Sequence, residues 1–148
     1  MSLYIHKSHN VSVLLYHVIC PAKYRKVVFS EEVGNKLKAI CIEISQRYEI
    51  HFIEIGTDGD HAHFLVQSVP TYSPTKIVRT IKSITAREIF RRLPSVKEDL
   101  WGGEFWTDGY FINTVGKKGS ETVIQKYIQN QGKKAEYKKL HHEQLQLF

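Results

Sequence analysis

A chain of 148 residues, 42% hydrophobic and 24% charged, has the size and composition of one globular domain with a real core. No run of residues is long and apolar enough for a membrane span. The opening "MSLYIHKSHN" lacks the charged-then-apolar order of an export signal, so the cytoplasm is the expected location. The net charge of +6 suits a polyanionic partner such as nucleic acid, although a solvated basic surface would give the same number.

In chain order, "HNVSVLLYHVIC" (9–20) is β-branched, aromatic and apolar, which predicts a strand stopped by Pro21. Lys23, Arg25 and Lys26 follow as a basic cluster. Ser30 then precedes two glutamates, with Val33, Leu37, Ile40 and Ile44 at helical spacing, which predicts a capped amphipathic helix. "HFIEIGT" (51–57) reads as a second strand. Asp58-Gly59 signals a hairpin, and "HAHFLVQSV" (61–69) is its antiparallel return.

Ser73 as cap and Pro74 at the first helical position open a second helix, which Pro94 is expected to stop. Its Ile77, Ile81, Ile84 and Ile89 can face inward, while Lys76, Arg79, Lys82, Arg87, Arg91 and Arg92 give a basic outer side. "WGGEFW" leads to a fourth strand over 109–115. A last helix begins at Ser120 and ends at Gly132, and a polar, basic tail occupies 133–148. Cys20 and Cys41, without CxxC spacing, read as buried reduced thiols. The order βαββαβ plus an extra helix is α+β, the ferredoxin-like split βαβ: an antiparallel sheet with two helices on one face. One domain over 1–148 is expected, with its core at about 9–132. That architecture hosts many functions.

Chemistry concentrates in two places. His61 and His63 alternate with Ala62 in a strand, so their imidazoles share one face, where they are either polar residues on an open sheet or a ligand pair. Asp60 beside them could orient one imidazole. In the last helix Tyr127 and Gln131 lie one turn apart on one face, offering a phenol and an amide oxygen; Tyr127 is equally readable as a half-buried aromatic. Trp101 and Trp106 could stack on bases, but flanking the "GGEF" turn they read more simply as pins of a hairpin.

"GDHAHFLV", "KYRKVVF", "FWTDGYFINTVG" and "YIQNQ" occur together, in an order spanning about Tyr16 to Gln131. In this the chain resembles the single-tyrosine HUH transposases of minimal insertion sequences, the IS two hundred / six hundred and five type. One departure is Gly59, where such proteins commonly carry proline; glycine also serves a tight turn.

The resemblance implies His61, His63 and Gln131 as ligands of Mg²⁺ or Mn²⁺, and Tyr127 as the nucleophile. Tyrosine attack on DNA would leave a 5′-phosphotyrosine and a free 3′-hydroxyl. No nucleotide cofactor is then needed, and the chain has no Walker-type loop. The implied substrate is single-stranded DNA with hairpins near the element's ends, and the implied assembly a homodimer with active sites that are possible in trans. Lys76, Arg79, Lys82 and Arg87, with Lys23 and Arg25 as a second patch, are the candidate DNA contacts. The alternatives are a non-catalytic nucleic-acid-binding module on the same fold, or a related HUH replication initiator or relaxase.

Overall fold

The computed structural model describes residues 5–6, 11–12, 14–101 and 103–116. Two short strands, β1 (Ile5–His6) and β2 (Val11–Ser12), pair with each other outside the main sheet. The first long strand, β3 (Leu14–Pro21), therefore begins later than the apolar run from residue 9 suggests. A 3-10 turn (Lys23–Arg25) leads to α1 (Glu31–Arg47), then β4 (Ile50–Asp58) and β5 (His61–Ser68) form a hairpin. After α2 (Pro74–Arg92) and a short α3 (Pro94–Asp99), β6 (Phe111–Val115) closes the sheet.

The sheet order is β4-β5-β3-β6, antiparallel throughout. Each helical crossover thus skips one strand: α1 connects β3 to β4 with β5 between them, and α2 connects β5 to β6 with β3 between them. This is the ferredoxin-like split arrangement. The core lies between the sheet and the two helices. Val18 and Cys20 of β3, Phe52 and Ile55 of β4, and Phe64 and Val66 of β5 meet Leu37, Ile40, Ile77 and Ile81 from the helices. Both cysteines are buried and unbridged. Burial pushes the Cys20 thiol up to about 12, which keeps it an inert hydrophobe.

The helix starts follow from side-chain capping. Ser30 Oγ accepts from the Val33 amide at 3.2 Å, and Ser73 Oγ accepts from the Lys76 amide at 3.0 Å. Pro74 sits where its missing N–H costs nothing. Arg92 ties the two helices together, meeting Glu43 of α1 at 2.8 Å and Glu88 of its own helix at 3.1 Å. Pro94 does end α2, but it also opens α3, because the fixed φ of proline suits a first helical position as well as a stop.

The two tryptophans separate sharply. Trp106 is buried, its indole N–H donates to Thr85 Oγ1 at 2.9 Å, and its backbone bridges to Ala22. Trp101 is 73% exposed. The last helix expected from the sequence, with Tyr127 and Gln131, and the basic tail fall within 117–148, outside the described residues.

Candidate active site

Strand alternation builds the site on the sheet face opposite α1 and α2. Ala62, Phe64 and Val66 point into the core, so His61, His63 and Leu65 point the other way. The register then fixes their neighbours. His63 is flanked by Gly56 on β4 and Ile19 on β3, and His61 by Asp58 and Pro21. One step along, Leu65 lies between Glu54 and His17, and His17 pairs on to Asn113 of β6.

The hairpin that presents the histidines turns through Gly59 and Asp60. Gly59 has φ +55, while Asp60 stays out of the left-handed region. That is the glycine-first pattern of a tight β-hairpin turn. A proline, fixed near −65°, could not adopt this φ, so the departure from the family pattern at Gly59 accompanies a particular turn geometry.

Asp60 is held from two sides. His61 Nδ1 lies 3.0 Å from its Oδ1, and Arg25 Nε donates to its Oδ2 at 3.0 Å. The hydrogen bond from His61, then that from Arg25, hold the Asp60 carboxyl below its ordinary range. A carboxylate can only accept, so the proton of neutral His61 sits on Nδ1 and Nε2 is left with a bare lone pair. The backbone reinforces this, since the Ala22 amide donates to the Asp60 carbonyl at 2.8 Å.

His63 is half-buried and its ring packs against Gly56. A Cβ at Gly56 would fall 2.3 Å from His63 Cε1 and 2.4 Å from Nε2. Burial pushes the His63 pKa down, partly opposed by Glu54, which favours the neutral ring that can act as a ligand. The two imidazoles stand 6.3 Å apart between ring centroids, tilted by 38°. Beside His63 is a hollow of about 380 Å³ lined by His17, Glu54, His63, Leu65, Asn113 and Val115. No cluster of three or more His, Cys, Asp or Glu suited to a metal occurs among the described residues. Two imidazoles on one face, one of them oriented by a carboxylate at its Nδ1, fit a divalent ion that takes nitrogen ligands and draws its remaining ligands from elsewhere. Tyr127 and Gln131, the other expected members, lie outside the described residues.

The basic candidates divide by what they already touch. Lys23 Nζ meets Glu104 at 2.6 Å, and Arg25 is engaged with Asp60. Lys82 Nζ donates to the Thr107 carbonyl at 2.8 Å and the Asp108 carbonyl at 3.2 Å, tying α2 to the following loop. Lys76 lies over the Tyr72 ring at 4.4 Å. Arg79, Lys82 and Arg87 line a groove of about 510 Å³ between α2 and residues 103–110, and this larger hollow includes neither histidine.

Two neighbours of the histidines escape sequence reasoning. His17 meets His63 edge-on at 6.1 Å, yet it reads as an ordinary strand histidine until β3 is paired with β5. Gly56 looks like a strand irregularity until its pairing with His63 is known.

Comparison with known proteins agrees with this layout. The family described as "Transposase IS200 like" matches residues 10–131. The ISDra2 transposase TnpA of Deinococcus radiodurans is 36% identical over 118 residues, covering 80% of this chain and 84% of that protein. The transposase for insertion sequence element IS200 of Salmonella typhimurium is 27% identical over 116 residues, covering 78% and 75% respectively.

Among solved structures, one from Deinococcus radiodurans R1 described as a candidate transposase superposes with a TM-score of 0.68 at 30% identity. It covers 86% of this chain and 98% of that one. A REP-associated tyrosine transposase bound to a REP hairpin gives 0.53 at 10% identity, covering 88% and 73%, which speaks to the fold alone. With a family match over most of its length, a curated relative above 30% identity and the same split βαβ sheet, this chain belongs to the IS200-like transposases.

Proposed function

We propose that this transposase is a divalent-metal-dependent enzyme that binds hairpins in single-stranded DNA at insertion-sequence ends, cleaves beside them through Tyr127, and rejoins the strands. The observation that carries the reading is that His61, held at Nδ1 by Asp60, which Arg25 grips in turn, shares one sheet face with His63. His61 and His63 would hold Mg²⁺ or Mn²⁺ with Gln131. When bound, the ion supplies positive charge to a non-bridging phosphate oxygen.

The chain's own residues do the rest. The Tyr127 oxygen attacks phosphorus in line and the phenolic proton is lost. The bond from phosphorus to the 3′-oxygen breaks, and that oxygen leaves as a 3′-hydroxyl on taking up a proton. The downstream segment stays on the enzyme through its 5′ phosphate, as a 5′-phosphotyrosine. A 3′-hydroxyl from another end then attacks the same phosphorus and releases Tyr127, so one phosphodiester replaces another and no nucleotide cofactor is required. Lys76, Arg79, Lys82 and Arg87 of α2 are the proposed phosphate contacts, with Lys23 and Arg25 as a second patch. The working form is proposed to be a homodimer, in which Tyr127 of one subunit can serve the histidine pair of the other.

The test is a covalent adduct. Wild-type protein incubated with labelled single-stranded hairpin DNA from its element's ends and Mg²⁺ will give a species that survives denaturation, and Tyr127→Phe will give none. An adduct retained by Tyr127→Phe would falsify the assignment. Asp60→Ala removes the acceptor that fixes the His61 tautomer and is expected to weaken Mn²⁺ binding about 10- to 100-fold, read by titration calorimetry. Unchanged Mn²⁺ affinity would show that Asp60 orients nothing.

A further inference from the structure

Trp101 and Tyr24 are large aromatic side chains left in solvent, 73% and 56% exposed, and their rings stack at 6.1 Å with planes 27° apart. The hairpin-pinning role is already filled by the buried Trp106. Nothing in the core or in the proposed cleavage chemistry uses the exposed pair.

The backbone presents it at a steric cost. Tyr24 and Arg25 have φ of 59° and 52°, a region that residues with a Cβ rarely enter. They are held there because the segment is tied on both sides. The Ala22 amide donates to the Asp60 carbonyl at 2.8 Å, the Lys23 amide to the Phe105 carbonyl at 2.8 Å, and Lys26 Nζ to the Asp99 carbonyl at 2.8 Å. One short segment therefore joins two things. Arg25 grips Asp60, the partner of His61, while the adjacent Tyr24 supports Trp101.

From this juxtaposition we infer that the Tyr24–Trp101 pair is a stacking platform for an unpaired nucleobase of the DNA strand whose phosphate is held at the histidines. The inference rests on the proposed action on single-stranded DNA and adds a base-binding subsite to it. An indole face is sequence-tolerant, since every base has a π-face, and Lys23, Arg25 and Lys26 beside it suit the backbone of the same strand. The base stacks on the outer face of Trp101 and continues the existing aromatic pair.

The probes are single-stranded oligothymidylate and an abasic strand with the same number of phosphates, so that charge is matched and only the bases differ. Wild type should prefer oligothymidylate by about 5- to 100-fold, the range for losing one stacked base. Trp101→Ala should abolish that preference with an unchanged melting curve, and Trp101→Phe should restore most of it. The chain has only two tryptophans, so fluorescence quenching on oligothymidylate should vanish in Trp101→Phe, where only the buried Trp106 remains.

The platform is overturned if Trp101→Ala keeps the wild-type preference, or if wild type binds both strands equally; the DNA-processing reading survives either result. Wild type binding neither strand would overturn both. A shift of Trp101→Ala from dimer to monomer with base preference intact would assign the surface to a second copy of the chain and reject the platform.

Discussion

Gly56→Ala should lower strand cleavage by about 100-fold, the scale of a reacting group displaced by an ångström, while the melting temperature barely moves. The added methyl would overlap the His63 ring, with two ring atoms within 2.4 Å of it. Two responses are open, a shift of β4 or a rotation of His63. The strand is paired to β5 on both sides of Gly56, from Glu54 to Asp58, and packed in the core by Phe52 and Ile55, whereas the imidazole is the mobile end of one half-buried side chain. The ring will move. Alanine also suits an extended backbone better than glycine by roughly 0.5–1 kcal/mol, which offsets part of the crowding. A double-mutant cycle makes the argument specific. Adding Gly56→Ala to His63→Ala should cost almost nothing further, because the group it displaces is already gone. Equal losses from Gly56→Ala in both backgrounds would mean that the glycine acts elsewhere.

The same contact shows where sequence reading stops. The βαββαβ order of the main sheet and its two crossover helices, both serine caps and the shared face of His61 and His63 follow from local signals, because period and capping are properties of neighbouring residues; the β1–β2 pair and α3 do not. Gly56 was hidden by a β-bulge. In "HFIEIGT" simple alternation would place Phe52, Glu54 and Gly56 on one face. The register shift between Phe52 and Glu54 instead turns Phe52 into the core and leaves Glu54 and Gly56 on the histidine side. No local pattern in the strand announces that insertion. His17 was hidden for a related reason: its proximity to His63 exists only once β3 and β5 are paired.

Arg25 illustrates a third case. As part of a basic cluster it reads as a phosphate contact, but in the fold its guanidinium holds Asp60, a residue 35 positions away. Charge runs are visible in sequence, whereas the partner that uses a charge is set by tertiary structure. The two tryptophans make the point again, since residues five positions apart around one glycine turn have opposite exposures.

Trp106→Ala should be among the most destabilising single substitutions in the domain, costing about 3–5 kcal/mol by chemical denaturation, while Trp101→Ala should stay within about 0.5 kcal/mol. Trp106 is 5% exposed and packs on Phe105 at 4.7 Å and Phe29 at 5.7 Å between ring centroids. Its indole N–H reaches Thr85 Oγ1, and that hydroxyl donates in turn to the Ile81 carbonyl at 2.6 Å, so loop, helix and strand exit are joined through one buried chain of hydrogen bonds. Trp106→Phe keeps much of the volume and leaves Thr85 its own donor bond, so it should cost less than the alanine. Thr85→Val strands the indole N–H without an acceptor and should cost roughly 1–3 kcal/mol, nearly all of it absent in a Trp106→Phe background. Equal denaturation midpoints for Trp106→Ala and Trp101→Ala would refute the division of labour between the two. If that division holds, the buried tryptophan is what keeps the loop bearing Trp101 beside the segment that carries Tyr24 and Arg25, and a stability measurement at Trp106 becomes a control for any DNA-binding loss seen at Trp101.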